Sequence, residues 1–165
     1  MPTSHAAQRA RTATRGRKAP NAVTLLKADH REVEDMFEQF QKSRSQSVKS
    51  RLAERICAAL KVHTTIEEEI FYPAFLEQAH EEDIHHEAIV EHNGAKKLIA
   101  QIESSDPSDE YFDAKVKVLS EMIKHHVREE ERPGGMFAEA KKAKMDLDDL
   151  GERLKQRKGQ LAGQH

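Results

Sequence analysis

The chain has 165 residues, 37% of them hydrophobic and 34% charged, enough for one well-buried domain. A net charge of −2, from 27 basic and 29 acidic residues, argues against a dedicated polyanion binder; a mean hydropathy of −0.81, with no apolar run near the ~18 residues of a spanning helix, argues against a membrane protein. The single cysteine, Cys57, excludes an intramolecular disulfide and a Cys-built zinc site, and with no apolar secretory centre near the N-terminus the expected address is cytoplasmic.

Residues 1–20 hold Arg9, Arg11, Arg15, Arg17 and Lys18 and no acid; they carry +5 within a chain of net −2, which leaves the remainder at −7. This is the composition of a disordered basic arm. Its Arg15-Gly16-Arg17-Lys18 run is faintly like a minor-groove tripeptide, and weak, salt-dependent phosphate contact is the one nucleic-acid role it predicts. An Arg- and Thr-rich, acid-free arm also fits a transit peptide.

From Asn21 the composition shifts to helix formers. Val23, Leu26, His30, Val33, Phe37 and Phe40 recur at steps of three and four, the apolar stripe of an amphipathic helix over about 22–43. Leu52, Ile56, Leu60, His63, Glu67, Ile70, Phe71 and Phe75 predict a second helix over 48–78, bent or ended near Pro73. Ile84, Ala88, Ile89, His92, Ala95, Ile99 and Ile102 predict a third over 82–103, closed by the turn signals of Ser104–Asp109. Phe112, Val116, Leu119, Ile123, His126 and Glu130 predict a fourth over 108–131, which breaks at Arg132-Pro133-Gly134-Gly135. Phe137, Ala140 and then Leu147, Leu150 and Leu154 predict one or two short helices with a single apolar edge, starting again at Asp146 or Asp148, that cap the bundle or make a dimer contact. Strand-like alternation is absent, so the expected fold is all-α: an up-down-up-down four-helix bundle over 21–145, preceded by the arm (1–20) and followed by a C-terminal helical extension and tail (146–165).

Each stripe carries a titratable group where an apolar one belongs: His30, His63 with Glu67, His92, and His126 with Glu130. Burying such groups is unfavourable unless they are paired or ligate a metal. In an antiparallel bundle, residues at one level sit symmetrically about the connecting loops. The midpoint of His30 and His63 falls at Gln46–Ser47, that of the His63/Glu67 pair and His92 near Gln78–Ala79, and that of His92 and the His126/Glu130 pair near Glu110. All six side chains therefore reach one layer. Within the second and fourth helices His and Glu are four apart, on one face and ~6 Å along the axis. Imidazole nitrogens with bridging carboxylates suit a pair of iron or manganese ions better than tetrahedral zinc. A bridging oxo or hydroxo group would complete the charge and leave room for a small diatomic or peroxide. In the fourth helix Leu119 and Ile123 lead to His126, while Val118 and Met122 lead to His125, so either imidazole pairs with Glu130.

The set Asp29-His30-Arg31, His63-Thr-Thr-Ile-Glu67-Glu-Glu-Ile-Phe-Tyr-Pro, Glu91-His92 and His125-His126-Val-Arg-Glu-Glu130-Glu resembles the haemerythrin-like HHE cation-binding family in its bacterial single-domain form. The resemblance covers about residues 21–145 and rests on the combined order His, HxxxE, His, HxxxE. It implies a non-haem di-iron centre in a four-helix bundle, with His30, His63, Glu67, His92, His126 and Glu130 as ligands. It also implies a protein that binds or responds to oxygen, nitric oxide, peroxide or iron. Oxygen carriers of that family have a second histidine one turn before the third-helix ligand, where this chain has Ala88, and space the last His and acid by five. The first departure tells against reversible oxygen carriage, while the His125-His126 doublet allows either spacing to Glu130.

Other polar residues have plainer readings. His85, two turns from His92, belongs at the bundle end; His80 and His86 are exposed; Glu68 and Glu69 are a solvated face, with Glu68 the one candidate to tune the centre. Phe37, Phe71, Met122 and Ile123 flank the layer, Cys57 packs in the core, and no proton donor is evident beside the ligands. The leading expectation is a di-iron protein that binds or senses a small oxidant or buffers iron, with a stress-response role. The alternatives are a di-iron oxidase or peroxidase-like enzyme, and a helical interaction protein holding a structural ion such as zinc. The expected assembly is a monomer or homodimer.

Overall fold

A computed structural model describes residues 18–163. Of the basic arm expected over residues 1–20, and with it the transit-peptide and phosphate-contact expectations, residues 1–17 lie outside the described residues. Seven α-helical segments follow in order: α1 (Ala22–Lys42), α2 (Gln46–Ile66), a π-helical turn (Glu67–Phe71), α3 (Tyr72–Ala79), α4 (Glu82–Glu103), α5 (Phe112–Glu131), α6 (Met136–Lys142) and α7 (Leu147–Ala162). Among the described residues there is no strand, and no helix is long and apolar enough to cross a membrane.

The helix starts follow from local chemistry. Asn21 accepts from the Thr24 N–H, Ser45 from the Val48 N–H, and Asp146 from the Asp149 N–H, each satisfying a donor that the first turn leaves without a partner. The fourth long helix starts at Phe112, not 108. Asp106 and Asp109 accept from the Ser108 and Tyr111 N–H groups at 2.8 Å, holding two successive turns open before the helix begins. The expected 48–78 helix is also interrupted. Its regular part ends at Ile66, and the Tyr72 N–H donates to the Glu67 carbonyl five residues back. Pro73 lacks an N–H and its ring would strike the carbonyl four residues earlier; the wide turn ahead of it is where the chain relieves that conflict.

Helices α1, α2, α4 and α5 form the bundle, each packed on two neighbours: α1 on α2 and α5, α4 on α2 and α5. Two apolar clusters fill it. One gathers Val33, Phe37, Leu60, Ile99 and Leu119 near the loops after α1 and α4; the other gathers Leu26, Ile66, Phe71, Phe75 and Phe137 near the opposite end. The second cluster also takes Leu150 and Leu154 of α7, so the C-terminal helix lies against α1 and α2. Gly151 makes that approach close: a Cβ there would stand 2.2 Å from the Pro20 carbonyl oxygen. Cys57 is buried among the first cluster, and burial pushes its thiol up to about 11.

Candidate metal centre

Between the two clusters lies the polar layer. His30 projects from mid-α1, His63 from the last turn of α2, Glu67 from the start of the π turn, His92 from α4, and His126 and Glu130 from α5, all buried. Their ligand-forming atoms fall into two groups that share Glu67. His30, His63, Glu67 and Glu130 converge in one and Glu67, His92 and His126 in the other, each within 4.8 Å. Glu67 Oε1 lies 2.9 Å from His63 Nε2 and 3.3 Å from His92 Nε2. Glu130 Oε1 lies 3.2 Å from both His30 Nε2 and His126 Nε2. The two helix-four histidines differ in place. His126 is buried with Nε2 turned inward, whereas His125 is exposed and pairs with Glu91 at 3.1 Å.

All four imidazoles are oriented the same way, with Nδ1 held by a carboxylate and Nε2 pointing at the centre. His30 Nδ1 meets Glu131 at 2.7 Å, His63 Asp29 at 3.0 Å, His92 Glu68 at 3.0 Å and His126 Glu91 at 2.8 Å. Each carboxylate is in turn paired with a cation or imidazole: Glu131 with Arg31, Asp29 with Lys158 of α7 at 2.5 Å, Glu68 with Lys96 at 2.6 Å, and Glu91 with His125. With Nδ1 donating outward, Nε2 is the nitrogen that faces the layer, and loss of its proton would leave a lone pair there, the arrangement found behind imidazoles that ligate metals. Glu68 thus belongs to the support of His92 and not to a solvated face.

Inside the layer, His30 Nε2, His63 Nε2, both Glu67 oxygens and Glu130 Oε1 are buried without an aligned hydrogen-bond partner. Buried polar atoms are seldom left so, and five around one small volume describe a set of donors fitted to cations. The electrostatics agree. Burial would depress the His63 imidazolium, but Glu67 and Asp29 outweigh it and push its pKa up to about 10. At His30 and His126 the same opposition of burial against neighbouring carboxylates also ends above the ordinary value. Burial would raise Glu67 and Glu130, yet facing imidazoles hold both below the ordinary carboxylate range despite their mutual repulsion.

Tyr72 is the residue that periodicity misses. Its hydroxyl donates to Glu130 Oε2 at 2.8 Å and lies 3.0 Å from His92 Nε2 and 3.3 Å from His126 Nε2, buried and surrounded. Burial, then Glu130 and Glu67, raise its pKa well above the usual value, so the phenol keeps its proton. The expectation that no proton donor stands beside the ligands is thereby corrected. Phe137 of α6, expected only on the apolar edge of a short helix, stacks its ring on His30 at 5.9 Å and closes that side of the layer. His85 is half-buried against the Tyr72 ring at 6.2 Å, outside the layer, and Ala88 packs in the apolar cluster one turn before His92.

Fold and site together define a class: an all-helical bundle with a buried His/Glu cluster of cation-binding type. The model of the Hemerythrin HHE cation binding domain matches residues 21–133, and the chain belongs to this family. A solved structure of similar fold is that of a hemerythrin HHE cation binding domain-containing protein, the Rv2633c homologue from Mycobacterium kansasii. It has a TM-score of 0.73 at 23% identity, over 88% of this chain and 89% of that one. The chain is also 30% identical over 111 residues to a protein of Nostoc sp. described as a DNA nickase. That match covers 67% of this chain and 31% of the relative, so the chain spans about a third of that protein's length.

Proposed function

We propose that the layer holds two iron ions, with His30, His63, Glu67, His92, His126 and Glu130 as ligands, and that the protein binds or senses oxygen, nitric oxide or peroxide, or buffers iron. The observation that carries this reading is the convergence of four Nε2 atoms and two carboxylates, five of whose atoms have no aligned partner, while every Nδ1 is held from behind. Manganese or zinc are the competing metals. The nitrogen-and-oxygen donor set, without sulfur, and a carboxylate shared between two groups favour a pair of iron or manganese ions over a lone zinc. When bound, such a pair supplies one-electron redox chemistry and positions for a small oxygen-containing ligand. The chain supplies the rest: the outer carboxylates fix imidazole direction, the two apolar clusters pack on the layer from its two ends, and Tyr72 holds a proton at Oη beside the shared carboxylates. His63→Ala and Glu130→Ala should each remove most of the iron from the purified protein while leaving helix content intact. Unchanged iron in both variants would contradict the ligand assignment.

Tyr72 favours a second reading, a peroxidase-like enzyme, because reduction of a peroxide consumes protons and this hydroxyl places an O–H donor within 3.3 Å of the layer. Consumption of more than one hydrogen peroxide per centre, with a reductant present, distinguishes that enzyme from a binding protein; one or fewer per centre excludes it.

A further inference from the structure

On the side of the layer away from Tyr72, a cavity of about 290 Å³ opens onto all four imidazoles. Its walls are apolar, with Val33, Ala59, Ala95, Met122, Ile123 and Val127 prominent, and its rim carries Glu32 of α1 and Lys158 of α7. That volume is roughly ten times the ~30 Å³ share of a water molecule, far more than a diatomic gas or hydrogen peroxide needs, and it falls near the lower end of organic-ligand pockets. Small side chains line it: Ala58 and Ala59 of α2 and Ala95 of α4 leave space that larger residues would fill.

From this geometry we infer that the cavity seats the carbon body of an organic hydroperoxide, R–O–OH with a compact apolar R, the oxygen end directed at the imidazole layer. The inference rests on the proposed reading of the layer as a centre for small oxygen-containing ligands. Of those ligands, peroxide is the one that can carry a carbon body. The charge around the cavity fits an uncharged guest. Among the described residues, Asp29, Glu32 and Glu91 line it and its lysine, Lys158, is paired with Asp29, so away from the imidazole layer an anionic tail would meet carboxylates. Apolar walls with a polar layer at one end suit a molecule with one oxygenated end and a hydrocarbon remainder.

The test uses 2-phenyl-2-propanol, the unreactive alcohol corresponding to cumene hydroperoxide, added to the full chain carrying ¹³C-methyl methionine. Met122 is the cavity's methionine; Met36, Met136 and Met145 lie in the apolar clusters. The Met122 methyl resonance, assigned with Met122→Leu, should shift saturably while those three stay in place. Ala59→Phe and, separately, Ala58→Phe should weaken the binding at least tenfold without loss of helix content. Either variant suffices should the other fail to fold. An unmoved Met122 resonance up to the solubility of the alcohol, or equal shifts at all methionines, would overturn the cavity assignment. Measuring iron in the same samples separates the two readings. Two irons with no Met122 shift refutes the organic guest alone; a Met122 shift in a chain that takes up no iron refutes the hydroperoxide together with the iron centre and leaves only an apolar binding cavity.

Discussion

An imidazole whose Nδ1 proton is given to a carboxylate has, once it is neutral, one tautomer and one direction for its remaining lone pair, and this layer has that support four times. The supporting acids follow a rule visible in retrospect. Asp29, Glu68, Glu91 and Glu131 each sit next in sequence to a member of the layer, and each holds an imidazole on a neighbouring helix: Asp29 that of His63, Glu68 that of His92, Glu91 that of His126 and Glu131 that of His30. A residue one position along is rotated by roughly 100°, which turns it from the bundle axis toward the adjacent helix. The six-residue layer was legible from periodicity, whereas these acids were indistinguishable from a solvated face because helix neighbours and their rotations are not written in one stripe. Outer partners of this kind typically contribute 10–100-fold to metal affinity. Asp29→Ala, which frees the His63 imidazole and strands Lys158, should therefore weaken iron retention against a ferrous chelator by roughly that factor. Retention equal to that of the parent chain would mean that His63 is oriented by something else.

At the scale of elements, the four long helices were legible because each keeps a 3.6-residue stripe through the layer, and α4 spans Glu82–Glu103 as its pattern predicts. The π turn was not. At roughly 100° per residue a side chain five positions after Glu67 in a regular helix faces roughly 140° away, so a continuous stripe places Tyr72 outside. One inserted residue of winding brings Glu67 and Tyr72 to the same side, and composition carries no trace of the insertion beyond Pro73 shortly after it. The C-terminal helix depends on a different local feature, the missing side chain at Gly151. Gly151→Ala would set a methyl against the backbone of Pro20–Ala22, forcing α7 away from α1. Overpacking of this kind costs about 1–3 kcal/mol against about 1 kcal/mol gained from helix propensity, so a net loss of up to about 2 kcal/mol is expected. Urea unfolding showing no loss would contradict the close packing of α7.

For the whole molecule, the cluster links stability, protons and metal. In the metal-free protein the elevated pKa of His63, about 10 against an ordinary 6.5, gives stability that is fully present below about 6.5 and is lost as pH rises through about 10. His30 and His126 shift the same way. Glu67 and Glu130, lowered from 4.5, give stability present above that value and lost as pH falls below it. The metal-free chain should therefore melt highest between about pH 4.5 and 6.5 and progressively lower toward pH 10. Metal must displace the imidazole protons, so the gain in melting temperature on loading should instead grow with pH. A metal-free melting temperature that keeps climbing from pH 6.5 to 9 would contradict the paired imidazolium–carboxylate layer.

The central claim, two irons in one buried layer, is tested most directly by elemental analysis of metal per chain, on protein purified without chelator or affinity metal, with an absorption spectrum of the same sample. The account predicts about two irons per chain and a ligand-to-ferric charge-transfer band. One zinc, or no metal after anaerobic exposure to ferrous iron, would contradict it.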